Sequence, residues 1–167
     1  MTRTEPVEPP SAVALPAVRE AHARIGRFVH RTAVLTSKAL DEQTGARVFF
    51  KCENFQRAGV FKARGAFNAV FSLTEEQASH GVVTSSSGNQ AAALSLAARE
   101  RGIPAYIAMP KVALRSKVAA VQRYGGNIVW VEARGTIPTS DEYEATAATI
   151  QARDGLNQAA RLIEAAT

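Results

Sequence analysis

Two spacings of apolar and polar positions divide this chain. Leu15, Val18, Ile25 and Val29, with His22 tolerated, recur at helical intervals and predict an amphipathic helix over residues 15–29, ending before His30, Arg31 and Thr32. Residues 48–52 are β-branched and aromatic, follow the turn-like Thr44 and Gly45, and predict a strand. Ala66, Phe67, Val70 and Phe71 line one side of a predicted helix over residues 63–73, and Thr74 with Gln77 has the form of a capping box opening another. After Gly81 the pattern becomes regular. Short apolar runs at 82–84, 105–109 and 128–131 are separated by helical stretches at 90–101 and 114–124. Gly102, Gly125 and Gly126 stand where helices should end, and Pro104 and Pro110 flank the middle run. Strands alternating with helices predict an α/β fold: an open, twisted parallel sheet with flanking helices. Beyond it, Tyr143, Ala147 and Ile150, then Leu156, Ala160 and Ile163, keep helical spacing across a break at Asp154 and Gly155, as one interrupted helix or two. Residues 1–14, rich in Pro and Glu, predict a loose arm.

Composition narrows the classes. At 167 residues with 46% hydrophobic content, the chain can build a domain with a sizeable core. A charge of +5 raises the question of nucleic acid, so its distribution matters. Eleven Lys and Arg face six Asp and Glu up to Leu73, and nine face nine thereafter. The excess forms no dense run and no aromatics interleave with it, which argues against nucleic acid as a partner. The single Cys52 has no disulfide or zinc partner. No stretch reaches the roughly eighteen apolar residues of a membrane span, and the N-terminus lacks the apolar core of a secretory signal. The expectation is a cytoplasmic protein.

Two clusters carry chemistry. Lys62 follows Phe61, with Gly59 and Gly65 permitting close backbone approach. A lysine at a helix start opposes the macrodipole, which favours the free amine that a Schiff-base former needs. Most lysines, however, are only solvated. Ser85, Ser86, Ser87, Gly88, Asn89 and Gln90 lie at a strand-to-helix junction, where ligands of parallel sheets bind. They can be a serine-rich cap. They can equally be an anion site, because unpaired N–H groups at a helix start suit a carboxylate or phosphate. Arg64 and Lys117 are possible anion contacts or solvated charges. His22, His30 and His80 are scattered without metal-ligand spacing, and the acid pairs sit at helix starts, so no metal site is expected.

Together, Phe61, Lys62, Ala63, Arg64, Gly65 and Thr84, Ser85, Ser86, Ser87, Gly88, Asn89 resemble the serine/threonine dehydratase and serine racemase family, the tryptophan-synthase-β type (fold type II) of pyridoxal-phosphate enzyme. The likeness runs from about Arg31 to Val131 and includes the run from Lys51 to Gln56, Gly102 to Ala105, and Tyr124 to Gly126. It implies that Lys62 holds pyridoxal 5'-phosphate as a Schiff base and acts as base on one face of the substrate. It implies that Phe61 packs on the pyridine ring and Asn89 bonds its phenolic oxygen. Ser86, Ser87, Gly88, Asn89 and Gln90 would bind the substrate carboxylate, and Ser87 matches the acid/base on the opposite face in members that racemise.

By the same resemblance the reaction is ammonia loss from L-threonine or L-serine to give a 2-oxo acid, with serine racemisation as the alternative. A second alternative is an incomplete fragment lacking the glycine loop for the cofactor phosphate, since family members run to about twice this length and Gly125-Gly126 is the only Gly-Gly pair. Ala58, Gly59 and Val60 replace the usual Thr-Gly-Ser, and Ser85 and Gln90 stand where some members have His. The implied division is residues 1–53 as an arm and part of a large domain, 54–154 as a small α/β domain with both motifs, and 155–167 as a short helical tail. The resemblance implies a small amino acid as partner and a homo-oligomer in the full-length family.

Overall fold

In the computed structural model, residues 14–132, 139–154 and 157–158 are described. Helix α1 (Leu15–Ile25) leads to strand β1 (Val34–Thr36), helix α2 (Lys38–Thr44) and strand β2 (Phe49–Lys51). Two short 3-10 turns, Glu53–Phe55 and Arg57–Gly59, enter α3 (Lys62–Ser72), followed by α4 (Glu75–Ser79). The rest is β3 (Val82–Ser85), α5 (Asn89–Arg101), β4 (Ala105–Pro110), α6 (Arg115–Arg123), β5 (Asn127–Val131), α7 (Ser140–Asp154) and β6 (Asn157–Gln158). Strands β3 to β6 make a parallel sheet in the order β5-β4-β3-β6, while β1 and β2 form a separate antiparallel ribbon.

The pleat explains the layers. Successive strand residues point to opposite faces, so Val82, Ile107 and Met109 enter one core with Phe67, Val70, Leu94 and Val121, while Val83, Ala108 and Val131 enter another with Ala147 and Ile150 of α7. Helices therefore cover both faces, which is why β3 and β4 are buried runs without alternation. From Ala91 to Ala98 every residue of α5 is buried. Its small side chains let α3 lie close. At Gly126 a Cβ would stand 2.2 Å from Ser95 Oγ and 2.8 Å from Val121 Cγ1, so only glycine admits β5 beside α5 and α6.

The predicted α/β sheet is present, with local differences. Helix α1 stops at Ile25 instead of residue 29, because Phe28 turns inward to stack on Phe67 and pack tilted against Phe71, at centroid distances of 5.5 and 4.1 Å. Strand β1 and helix α2 were too short to show a period. Their punctuation was nevertheless written in the chain: Ser37 accepts from Leu40 N, and Gly45 closes α2 at φ 67°. The helical pattern after Asp154 is corrected at Asn157 and Gln158, which pair with Val82 and Val83 as a strand. The remaining tail residues and the arm at 1–13 lie outside the described residues. Leu15, Val18, Val34, Leu35, Phe49 and Phe50 are exposed on α1 and the ribbon.

Candidate active site

A polar clamp positions the start of α3. The Glu53 carboxylate accepts from Arg64 Nε at 2.9 Å, Arg64 Nη2 at 2.7 Å and Thr32 Oγ1 at 2.6 Å. Buried Gln56 accepts from His30 N at 2.8 Å and Arg57 N at 2.9 Å, and donates to His30 O at 2.9 Å. These bonds tie the segment before β1, both 3-10 turns and the first turn of α3 into one unit. Ala58 (φ 58°) and Gly59 (φ 69°) then reverse the chain in consecutive left-handed conformations. Ala58 does so against the steric preference of an L-residue, a strain of order 1–2 kcal/mol that the clamp holds in place. The result sets Phe61 at the N-cap and Lys62 at the first position of α3. Lys62 is half-buried, with its ammonium 5.6 Å from the centroid of the exposed Phe61 ring and without an ion-pair partner among the described residues. Glu53 and Gln56 entered the sequence reading only within a family-like run; their positioning work becomes visible once residues far apart in sequence meet.

The clamp makes a pH prediction. Hydrogen bonds from Arg64 foremost, against the opposing effect of burial and with help from Thr32 and Lys51, hold the Glu53 carboxyl at about 2 instead of the ordinary 4.5. A lowered folded-state value means that the stabilisation is complete above about pH 4.5 and is lost as pH falls toward about 2. Arg64 is a third exposed, which trims the effect. Glu53→Gln is expected to cost about 1–2 kcal/mol at neutral pH and to flatten the acid limb of a thermal-midpoint profile. An acid limb identical to the wild type would refute the assignment.

The second cluster follows β3. Ser86 N donates to Ala108 O at 3.0 Å, and Ser86 Oγ accepts from Gly88 N at 3.2 Å and Ala91 N at 3.3 Å. Of the four N–H groups that open a helix without intrahelical partners, Ser86 thus takes two. Those of Asn89 and Gln90 are left to an external acceptor, since Gly88 at the N-cap offers no side chain and the first turn holds no acidic residue. Ser87, Gly88 and Asn89 form one wall of a cleft of about 490 Å³, with Pro110, Val112, Leu114 and Lys117 opposite. Lys117 Nζ donates to Asn89 Oδ1 at 2.5 Å. Thr84 Oγ1 and both amide atoms of Gln90 are buried without a hydrogen-bond partner.

The structure therefore gathers Ser87, Gly88 and Asn89 at the carboxyl ends of β3 and β4, with the Ser86 hydroxyl turned to its own loop. Lys62 and Phe61 do not line that cleft; they stand at the start of α3, which packs along α5. Arg64 goes to Glu53 and Lys117 to Asn89, so neither is simply solvated. A planar aldehyde cofactor needs an amine and a donor for its phenolic oxygen, and its amino-acid substrate needs a carboxylate site. Lys62, Asn89 and the open N–H groups of α5 fit those needs, and the unpartnered Gln90 amide and Thr84 hydroxyl hold bonding capacity for a bound polar group.

Known proteins share both the sequence and the fold of this chain. The family model for pyridoxal-phosphate dependent enzymes matches residues 25–161. The chain is 60% identical over 116 residues to serine racemase of Arabidopsis thaliana, covering 70% of this chain and 35% of that protein. It is 50% identical over 135 residues to beta-hydroxyaspartate dehydratase of Paracoccus denitrificans (strain Pd 1222), covering 81% and 41%. The maize serine racemase structure superposes with a TM-score of 0.82 at 48% identity, over 88% of this chain and 43% of that one. The chain thus spans only about a third to two fifths of the length of these relatives. A matching family model over most of its residues, on a fold shared with the maize enzyme, places the chain in the pyridoxal-phosphate-dependent enzyme family.

Proposed function

We propose that this chain is the lysine-bearing part of a pyridoxal-phosphate-dependent ammonia-lyase that converts L-serine or L-threonine into a 2-oxo acid and ammonia. The observation that carries the reading is the presence, on the packed helices α3 and α5, of Lys62 set beside an exposed aromatic ring by the Glu53 and Gln56 clamp, and of an α5 start whose Asn89 and Gln90 N–H groups are open. The cofactor, when bound, supplies the electron sink that makes a substrate α-proton removable. In this reading the N–H groups of Asn89 and Gln90, with the Ser87 hydroxyl, hold the substrate carboxylate. The Asn89 amide donates to the phenolic oxygen of the cofactor, and Phe61 covers one side of its ring. Lys62 Nζ takes the α-proton and gives a proton to the departing β-hydroxyl, which leaves as water; a water molecule then hydrolyses the released enamino acid to the 2-oxo acid and ammonia. Residues 54–154 serve as the small domain, and residues 1–53 as an arm and part of a larger one; the exposed apolar side chains of α1 and the ribbon support that division. The phosphate-binding group is then supplied from outside these residues, and a homo-oligomer is assigned to the full-length enzyme.

Serine racemisation is the second reading. It is favoured by Ser87, which is exposed on the cleft and has no hydrogen-bond partner among the described residues, as a proton donor on the opposite face requires. In an assembly that turns over, Ser87→Ala is expected to lower D-serine formation by about 10²-fold or more, and oxo-acid release from L-serine by much less, through the lost carboxylate contact alone. Equal loss of both products would set racemisation aside. The test of the primary reading is chemical: mix the purified chain with pyridoxal phosphate, reduce with borohydride and map the modified peptide. A saturable adduct at Lys62 is the expected result, with weak or no turnover of serine or threonine by this chain alone. Labelling spread over surface lysines would overturn the reading.

A further inference from the structure

Lys117 occupies a position that folding alone does not favour. It is the third residue of α6, whose first turn has neither a side-chain cap nor an acid. Its ammonium reaches the start of α5, where the Ser86 hydroxyl takes two N–H groups but no acid stands in the first turn. A cation beside two positive helix ends is unfavourable, and no ion-pair partner offsets it among the described residues. Nor are the helices in need of a staple, since Val121, Gly126 and Ser95 already join α5, α6 and β5 below the cleft. The bond to Asn89 has a chemical consequence. An ammonium can only donate, so the Asn89 oxygen must face Lys117 and its NH2 must face away.

We propose that Lys117 is a positioning residue for Asn89: it holds the amide oxygen, so that Asn89 offers only its NH2, as a donor, on the side away from Lys117, and its charge favours an oxyanion beside that amide. This rests on the reading of Asn89 as partner of the cofactor's phenolic oxygen. An amide left to rotate would offer that oxygen a repelling carbonyl as often as a donor. Lysine fixation also explains why the contact lies at the cleft mouth, where a hydrogen bond contributes little to folding.

The test uses Lys117→Met, which removes donor and charge, and Lys117→Arg, which keeps both. In the ligand-free chain, the Asn89 side-chain amide resonances should shift in Lys117→Met and stay near the wild-type position in Lys117→Arg. With pyridoxal phosphate added, the ratio of the yellow, protonated Lys62 adduct to the unprotonated form should rise about tenfold at fixed pH in Lys117→Met, because a nearby positive charge disfavours the extra proton. Lys117→Arg should match the wild type. Unchanged Asn89 resonances and an unchanged ratio in Lys117→Met would overturn the proposal, as would Lys117→Arg behaving like Lys117→Met. A wild-type chain that forms no Lys62 adduct would overturn the functional reading instead, and the ligand-free resonances would then decide the orienting role alone.

Discussion

Lys62→Ala is expected to remove specific, borohydride-fixed pyridoxal incorporation altogether, leaving only the diffuse labelling of surface lysines. An imine needs an amine, and Lys62 is the lysine that combines half-burial, an adjoining exposed ring and freedom from carboxylates among the described residues. Lys38 and Lys111, by contrast, are paired with Glu42 and Glu132. The fold should not notice the change: Ala63, Ala66, Phe67 and Val70 anchor α3, alanine is the best helix former, and removing a cation from a helix start is favourable. Thermal stability should therefore stay within about 0.5 kcal/mol of wild type. A peptide map in which a saturable adduct survives in Lys62→Ala would relocate the cofactor amine. Loss of the adduct together with loss of the fold would show that Lys62 supports α3, and the mapping would then rest on Lys62→Arg.

Gly81→Ala is expected to destabilise the protein by about 3 kcal/mol or more. Gly81 joins α4 to β3 at φ 80°, where an L-residue carries a penalty of roughly 1–2 kcal/mol. Its Cβ would also lie 2.6 Å from the Pro104 carbonyl oxygen and 2.7 Å from the Pro104 ring. That oxygen cannot step aside cheaply, because it accepts from Val82 N at 3.0 Å and so sets the β3–β4 register. Overpacking of this kind adds about 1–3 kcal/mol. Gly102→Ala supplies the control: φ is 75°, but nothing lies within 4 Å of the added carbon, so only the backbone penalty applies. Urea midpoints should separate the two variants clearly. Equal losses would mean that the Pro104 turn yields, and that the register is held elsewhere.

The two variants differ in what could be foreseen. The glycine at residue 102 was legible as a helix end, and it is one, in the left-handed conformation. That Gly81 must be glycine was not legible, because the obstacle is Pro104, twenty-three positions along the chain and adjacent only once β3 and β4 pair. The same holds at the candidate site. Lys62, Phe61, Ser87 and Asn89 stand out in the sequence by residue type at a strand-to-helix junction or a helix start. The Glu53, Gln56 and His30 clamp and the Lys117 to Asn89 bond do not, since each joins residues 26 or 28 positions apart or arises from a turn with no period.

Local physics wrote the rest into the sequence. Alternating apolar runs and helical spacings, punctuated by glycine and proline, determined the parallel α/β sheet, because burial on both faces demands continuous apolar strands and covering helices. The order of motifs determined the family. Tertiary structure alone decided where α1 stops, that residues 157–158 join the sheet beside β3, and which polar side chains the folded chain leaves unpaired at the end of β3 and the start of α5. These depend on contacts between distant segments, whose free energy no window of neighbouring residues contains.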